Sequence, residues 1–166
     1  GNQIFIMAAA GRGARAATHH EESIRTFEIA PDGRSLLFLA QDPLTDAEPE
    51  ARKKKDDEIV VDEDFRMTHL WHFDIDEKES TRLTEGEFTV SDPQWSPDGR
   101  EILFVSRPTP KVDDGYASDI WRVNLMTKNK EKLYENPGPD FSPRWSPDGQ
   151  KIAFASNSYP STRTVL

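Results

Sequence analysis

The sequence predicts an all-β fold, a partial β-propeller made of four-stranded antiparallel blades, and three observations carry that reading. Residues 70–107 and 120–157 align over 38 positions without a gap, and thirteen of those positions are identical. Residues 4–41 fall in the same ungapped register and keep Pro31, Asp32, Gly33, Leu37 and Phe38. Each copy divides into short apolar runs separated by turn residues, with a Pro-Asp-Gly turn in every copy. A fixed period of this length marks a repeat architecture. Four short strands, a turn and an aromatic per unit describe a propeller blade better than the shorter rung of a solenoid, and the repeat itself argues against a β-sandwich.

The elements follow in chain order, starting at the third strand of a blade: a half blade over residues 1–20, a blade over 24–86, a blade over 88–136 and a half blade over 141–157. In the first half blade, "AGRGA" (Ala10–Ala14) has the glycines of a phosphate loop, but no Gly-Lys-Ser/Thr ending and no helical pattern follow it. It aligns with "DEKES" and "TKNKE" and is read as a hairpin turn. In the second copy the predicted strands are Leu70–Ile75, Thr81–Thr84, Val90–Trp95 and Glu101–Ser106. The run "EILFVS" is apolar on both alternating faces, which suits a strand covered on both sides, and "SLLFLA" and "KIAFAS" are expected to behave alike.

The "SPDG" stretch is a tight turn by its chemistry. Pro97 pre-sets φ, Asp98 accepts a local hydrogen bond, and Gly99, like Gly149 in the next copy, takes φ > 0. Asp98 and Asp148 are therefore assigned to turns and given no catalytic role. Trp71, Trp95, Trp121 and Trp145 occupy equivalent places in their copies, with Phe5 and Ile29 at those places in the weakest one. Ligand stacking is one use of such a series, but the Phe and Ile replacements favour packing between neighbouring repeats.

The paired "WSPDG" turns, the "LW" and "IW" strands followed by "RLTEG" or "KLYEN", and the connector "RPTPKVDDGYASDIW" resemble the N-terminal propeller of prolyl oligopeptidase-type serine peptidases. The similarity leans to the acylaminoacyl-peptidase and dipeptidyl-peptidase-like branch and covers essentially the whole chain, including "KKKDDEIVVDEDFR". The TolB-like propeller, another repeat of the WD-like kind, shares the Pro-Asp-Gly turn and is the alternative; the long connectors tilt the balance to the peptidase. The peptidase resemblance implies a propeller that gates or positions a peptide substrate for an α/β-hydrolase domain with a Ser, Asp, His triad. No G-x-S-x-G elbow occurs in these residues, so the triad matches no position here and no catalytic residue is assigned. The TolB-like alternative implies a scaffold that binds proteins and catalyses nothing.

Composition narrows the partners. A net charge of −9, from 21 basic and 30 acidic residues, argues against nucleic acid or an anionic membrane surface. No apolar run is long enough to span a bilayer. The absence of cysteine excludes disulfides and thiolate chemistry without fixing the compartment; a soluble, cytoplasmic setting is the expectation. No signal peptide is visible, and Gly1 is read as an edge with the natural N-terminus upstream. His19 and His20 are adjacent, and His69 and His72 are three apart, so on strands each pair points to opposite faces and shares no metal. They are read as solvated or partly packed, and no cofactor or metal is expected. The connector over 42–69 exceeds that over 108–119 by 16 residues, and its insertion over 42–58 carries Lys53–Lys55, read as a solvated loop on a functional face. Half blades at both ends predict self-association, residues 1–20 of one copy meeting residues 141–157 of another.

Overall fold

The computed structural model describes residues 1–43, 66–134 and 136–157; the expectation for the charged insertion, Lys53–Lys55 included, lies outside the described residues. Twelve strands form four antiparallel sheets among them. The first sheet pairs β1 (Phe5–Ile6) with β2 (Arg15–Ala16). The second runs β3 (Ile24–Ile29), β4 (Ser35–Gln41), β5 (Thr68–Asp74) and β6 (Glu79–Arg82) in spatial order. The third repeats that order with β7 (Thr89–Trp95), β8 (Glu101–Arg107), β9 (Asp119–Asn124) and β10 (Lys130–Lys132). The fourth pairs β11 (Asp140–Trp145) with β12 (Ile152–Ser156). These are the blades of a partial propeller, and a single 3-10 turn, Asp113–Ala117, interrupts the otherwise all-β chain among the described residues.

The turns explain why each sheet is a meander. Gly99 N–H donates to Ser96 O at 2.9 Å and Ser96 N–H to Glu101 O at 2.8 Å, while Gly99 sits at φ 70°. Asp98 Oδ1 accepts from the Arg100 N–H at 3.1 Å and from the Ser96 hydroxyl at 2.7 Å. The same bonds recur at Ser146, Asp148 and Gly149, whose φ is also 70°. A second repeated turn joins β5 to β6 and β9 to β10. Asp74 Oδ1 accepts from the Asp76 and Glu77 N–H groups, and Asn124 Oδ1 accepts from those of Met126 and Thr127. Both are Asx turns, in which the side chain replaces a backbone acceptor.

Adjacent sheets meet through buried side chains. Leu37, Leu39, Leu70, Trp95, Ile102 and Phe104 are among those that form one cluster between the two four-stranded blades. Leu36, Phe38, Ala40 and Phe73 join Ile4 and Ile24 in another, toward the first sheet. Alternate residues of β4 thus enter different clusters, as a strand covered on both faces requires. Trp95 ties the blades together: its backbone N–H reaches Glu28 Oε2 at 3.1 Å and its Nε1–H reaches Glu28 O at 3.4 Å. The Pro-Asp-Gly turns also stack. A Cβ placed on Gly99 would stand 4.0 Å from Pro31 Cδ, and one on Gly149 3.8 Å from Pro97 Cδ.

Two expectations need adjustment. β6 ends at Arg82 rather than Thr84, because the Thr84 hydroxyl leaves the ladder to accept the Leu70 N–H at 2.9 Å. β12 differs from its counterparts: β4 and β8 are buried along their middles, while Phe154 is 38% exposed. The motif is the same, but among the described residues β12 has β11 beside it and no third strand.

Candidate functional site

One face of the propeller gathers the connectors that leave β4, β6, β8 and β10. Asp42 lies just past β4 and receives Arg82 Nη2 at 2.7 Å. His69, fully buried, hydrogen-bonds through Nδ1 to Thr84 Oγ1 at 3.2 Å, and its Nε2 stands 3.3 Å from Asp42 Oδ2. Arg82 Nε–H also donates to Thr84 O at 2.8 Å. Burial lowers the His69 pKa, the Arg82 charge lowers it further, and Asp42 opposes both. The aspartate, imidazole and hydroxyl have the residue types of a catalytic triad but not its use. Thr84 is 1% exposed and its oxygen already accepts the Leu70 N–H, so no substrate atom reaches it. The network instead fastens the entry of the charged connector to β5 and β6.

Beside it, on the second complete blade, opens a cavity of about 440 Å³ lined by Phe88, Trp121, Arg107, Lys130, Glu87 and Asp119, among others. Phe104 and Trp121 are register partners on β8 and β9. The equivalent partners one blade earlier are Phe38 and Trp71, whose rings stack with centroids 6.1 Å apart. There His20 lies over the pair, its ring 5.1 Å from Phe38 and 4.6 Å from Trp71, at the side of a groove of about 550 Å³. Burial lowers the His20 pKa, with Glu21 and Glu22 acting against it. The register of residues 4–41 on 70–107 puts Gly86 opposite His20. Gly86 has φ 118°, and a Cβ there would come 3.3 Å from Phe88 Cε1.

The same register puts Arg107 opposite Gln41, and that of 70–107 on 120–157 puts Lys130 opposite Ser80. Arg107 Nε is buried with no hydrogen-bond partner among the described residues. Lys130 Nζ lies 6.0 Å from the Phe88 ring centroid. Asp119 is matched to Lys132 Nζ at 2.9 Å, and Glu87 is exposed. The cavity is thus lined by two cationic side chains, Arg107 and Lys130, and two carboxylates, Glu87 and Asp119, beside Phe88 and Trp121.

The residues singled out by sequence are distributed as follows. Asp98 and Asp148 lie in turns, and hydrogen bonds from Ser96 and Ser146 lower their pKa values. Trp95 and Trp121 pack in or against the cluster between blades, and Trp71 against the preceding one. Trp145 Nε1 is buried without a hydrogen-bond partner among the described residues. Ala10–Ala14 lie in the link between β1 and β2, where Gly11 and Gly13 have φ 79° and 72°. His72 meets the edge of Trp95 at 6.2 Å, whereas His69 meets Phe88 at 5.5 Å, so the two do not converge. The solvated reading of His69 does not hold: its ring is wholly covered. Sequence reasoning missed the cavity, whose lining comes from residues spread over 87–130.

No family model matches the chain, and no curated protein matches it. Solved structures do. A putative TolB from Agrobacterium tumefaciens is 26% identical over 94% of this chain and 46% of its own, with a TM-score of 0.62. TolB from Acinetobacter baumannii is 17% identical over 96% of this chain and 33% of its own, with a TM-score of 0.58. An acylaminoacyl peptidase from Pyrococcus horikoshii is 12% identical over 86% of this chain and 18% of its own, with a TM-score of 0.54. The chain therefore spans less than half the length of each, and what it shares with them is the propeller fold. No helix among the described residues is long and apolar enough to cross a membrane.

Proposed function

We propose that this chain is a non-catalytic section of a peptide- and protein-binding propeller of TolB-like type. The observation that carries the reading is the cavity on the connector face of the second complete blade, where Phe88 and Trp121 stand beside charged side chains of both signs. It lies within residues 87–130, on the side of the fold where the longest connectors emerge. The similarity to the putative TolB, at 26% identity over 94% of the chain, supports the TolB-like assignment. Asp42, His69 and Thr84 hold one another in place and leave no exposed nucleophile.

A second reading keeps the same face in a different role: the propeller of a prolyl oligopeptidase-type peptidase, gating or positioning peptides for a hydrolase domain. The long connectors over 42–69 and 108–119 favour it. One pair of measurements on the intact protein tests the proposal. Screened against an immobilised library of short peptides, it is expected to retain a subset; treated with a fluorophosphonate probe, it is expected to remain unlabelled. Stoichiometric labelling would replace the scaffold reading with the peptidase one, and retention of no peptide would overturn both.

A further inference from the structure

Two of the four sheets have only two strands, and each lacks what the other has. We propose that the 166-residue chain pairs with a second copy of itself into a closed ring of six blades, in which β1 of one copy lies along the free edge of β12 of the other, with Phe5 opposite Phe154. The inference goes beyond the binding role of the connector face and does not rest on it.

Strand register carries the argument. β1 joins β2 through Phe5 with Ala16 and Ile6 with Arg15. Under the repeat these positions are Trp71 with Arg82 and His72 with Thr81, the partners that join β5 to β6. The bonds beyond the ladder repeat as well: Ile4 N–H donates to Thr18 Oγ1 as Leu70 N–H does to Thr84 Oγ1, and Ala17 N–H donates to Ile4 O as Leu83 N–H does to Leu70 O. The first sheet is therefore the outer half of a blade, and its open edge is the one that β5 gives to β4. In the fourth sheet Phe141 with Ala155, Arg144 with Ala153 and Trp145 with Ile152 repeat Ser91 with Val105, Gln94 with Leu103 and Trp95 with Ile102. It is the inner half, and the edge that β8 gives to β9 carries no strand among the described residues.

The side chains at those edges are the ones left uncovered. In the complete blades Phe38 opposes Trp71 and Phe104 opposes Trp121, and the two phenylalanines are 0% and 1% exposed. Phe154 and Phe5 hold the same two positions without each other and are 38% and 66% exposed. Setting them opposite also places Ile152 against Met7, Ala153 against Ile6 and Ala155 against Ile4, so every opposed pair over that stretch is apolar. Backbone pairing at an open edge supplies affinity, and the aromatic cross-strand pair supplies register.

Closure sets the number of copies. One copy holds two whole blades and two halves, equivalent to three blades, and propellers close at roughly four to eight. Two copies give six and three give nine, so the pair is the assembly that falls in this range. Exchange by a two-fold axis forms both composite blades at once and leaves neither half open. The size of the putative TolB supports the count: 94% of this chain covers 46% of it, so two copies match one such propeller in length.

Sedimentation and light scattering of the 166-residue chain over a concentration series are expected to show the mass of two chains and nothing larger. Single chains throughout, or a ladder of masses above two, overturns the proposal. Because the chain has no cysteine, Phe5→Cys with Phe154→Cys reports the register directly. Opposed strand residues stand within the Cα spacing of about 4.4–6.8 Å that a disulfide spans, so mild oxidation is expected to give covalent two-chain species. Phe5→Cys with Gln150→Cys, set several residues out of register, is expected to stay largely unlinked; equal linking in both variants overturns the pairing. Phe5→Lys with Phe154→Lys places like charges opposite each other in both composite blades and is expected to weaken pairing about ten-fold or more. Two-chain assembly that is unchanged in this variant also overturns it.

Discussion

Replacing Gly99 by valine isolates the backbone requirement of the Pro-Asp-Gly turn. A Cβ at this position meets nothing closer than Pro31 Cδ at 4.0 Å, so the first carbon fits and no clash drives the effect. The cost is conformational. At φ 70° an L-residue gives up about 1–2 kcal/mol, and a β-branched one up to about 3 kcal/mol. The unfolded chain is also restricted by the substitution, which offsets about 0.4–1 kcal/mol. The net expectation is a loss of about 1–2 kcal/mol, or roughly 2–8 °C in melting midpoint for a chain of this size. Gly115 is the control: it has no positive φ and open space at its Cβ, so Gly115→Ala should be neutral or stabilising by up to about 1 kcal/mol. Urea melts at constant m-value read both changes. If the Gly99 and Gly115 variants move together, or Gly99→Val leaves the midpoint unmoved, the turn assignment is wrong.

Two other outcomes follow from burial. Burial lowers the pKa of His72, while Asp74 and Asp32 pull it upward. Its unfolded counterpart therefore takes up a proton first, so the stability it contributes is full above about pH 6.5 and declines as pH falls toward the lowered native value. His72→Phe, which keeps a ring beside Trp95, should reduce the loss of thermal stability between about pH 7 and pH 5; an equal loss in the variant would refute this. For the 166-residue chain by itself, Phe5 at 66% and Phe141 at 46% exposure lie on the two-stranded sheets, and we expect concentration-dependent association in which those sheets meet. A monomer mass independent of concentration in sedimentation would exclude it.

What could be read from the sequence was whatever one copy repeats from another. The Pro97-Asp98-Gly99 turn, the doubly covered strand over Glu101–Arg107 and the packing role of Trp95 each recur in register, and local chemistry decides them. What escaped depends on contacts between distant segments. His69 is buried by Asp42, Arg82, Thr84 and Phe88, which come from beyond its own strand. The cavity beside Trp121 is lined by residues spread over 87–130 that meet only in the folded blade, and reading a single sequence does not bring them together. β12 shows the converse: "KIAFAS" has the pattern of a covered strand, but a pattern states what a strand can tolerate and not what lies beside it.

The stacked turns also divide labour within the fold. Each Gly of the Pro-Asp-Gly motif backs onto the Pro of the preceding motif, at Gly99 on Pro31 and again at Gly149 on Pro97. The step from one blade to the next is thereby marked at the hairpin tips, like teeth on a rack, while at the opposite face hydrogen bonds such as Thr68 N–H to Thr89 Oγ1 and Ser118 Oγ–H to Asp140 O tie the same neighbours together. Connectors there are free to lengthen or change composition without altering the pitch. The connector after β4 outruns the one after β8, yet both blades engage their neighbours through the same turn contact. A rigid gauge at one face is what allows the other to diversify.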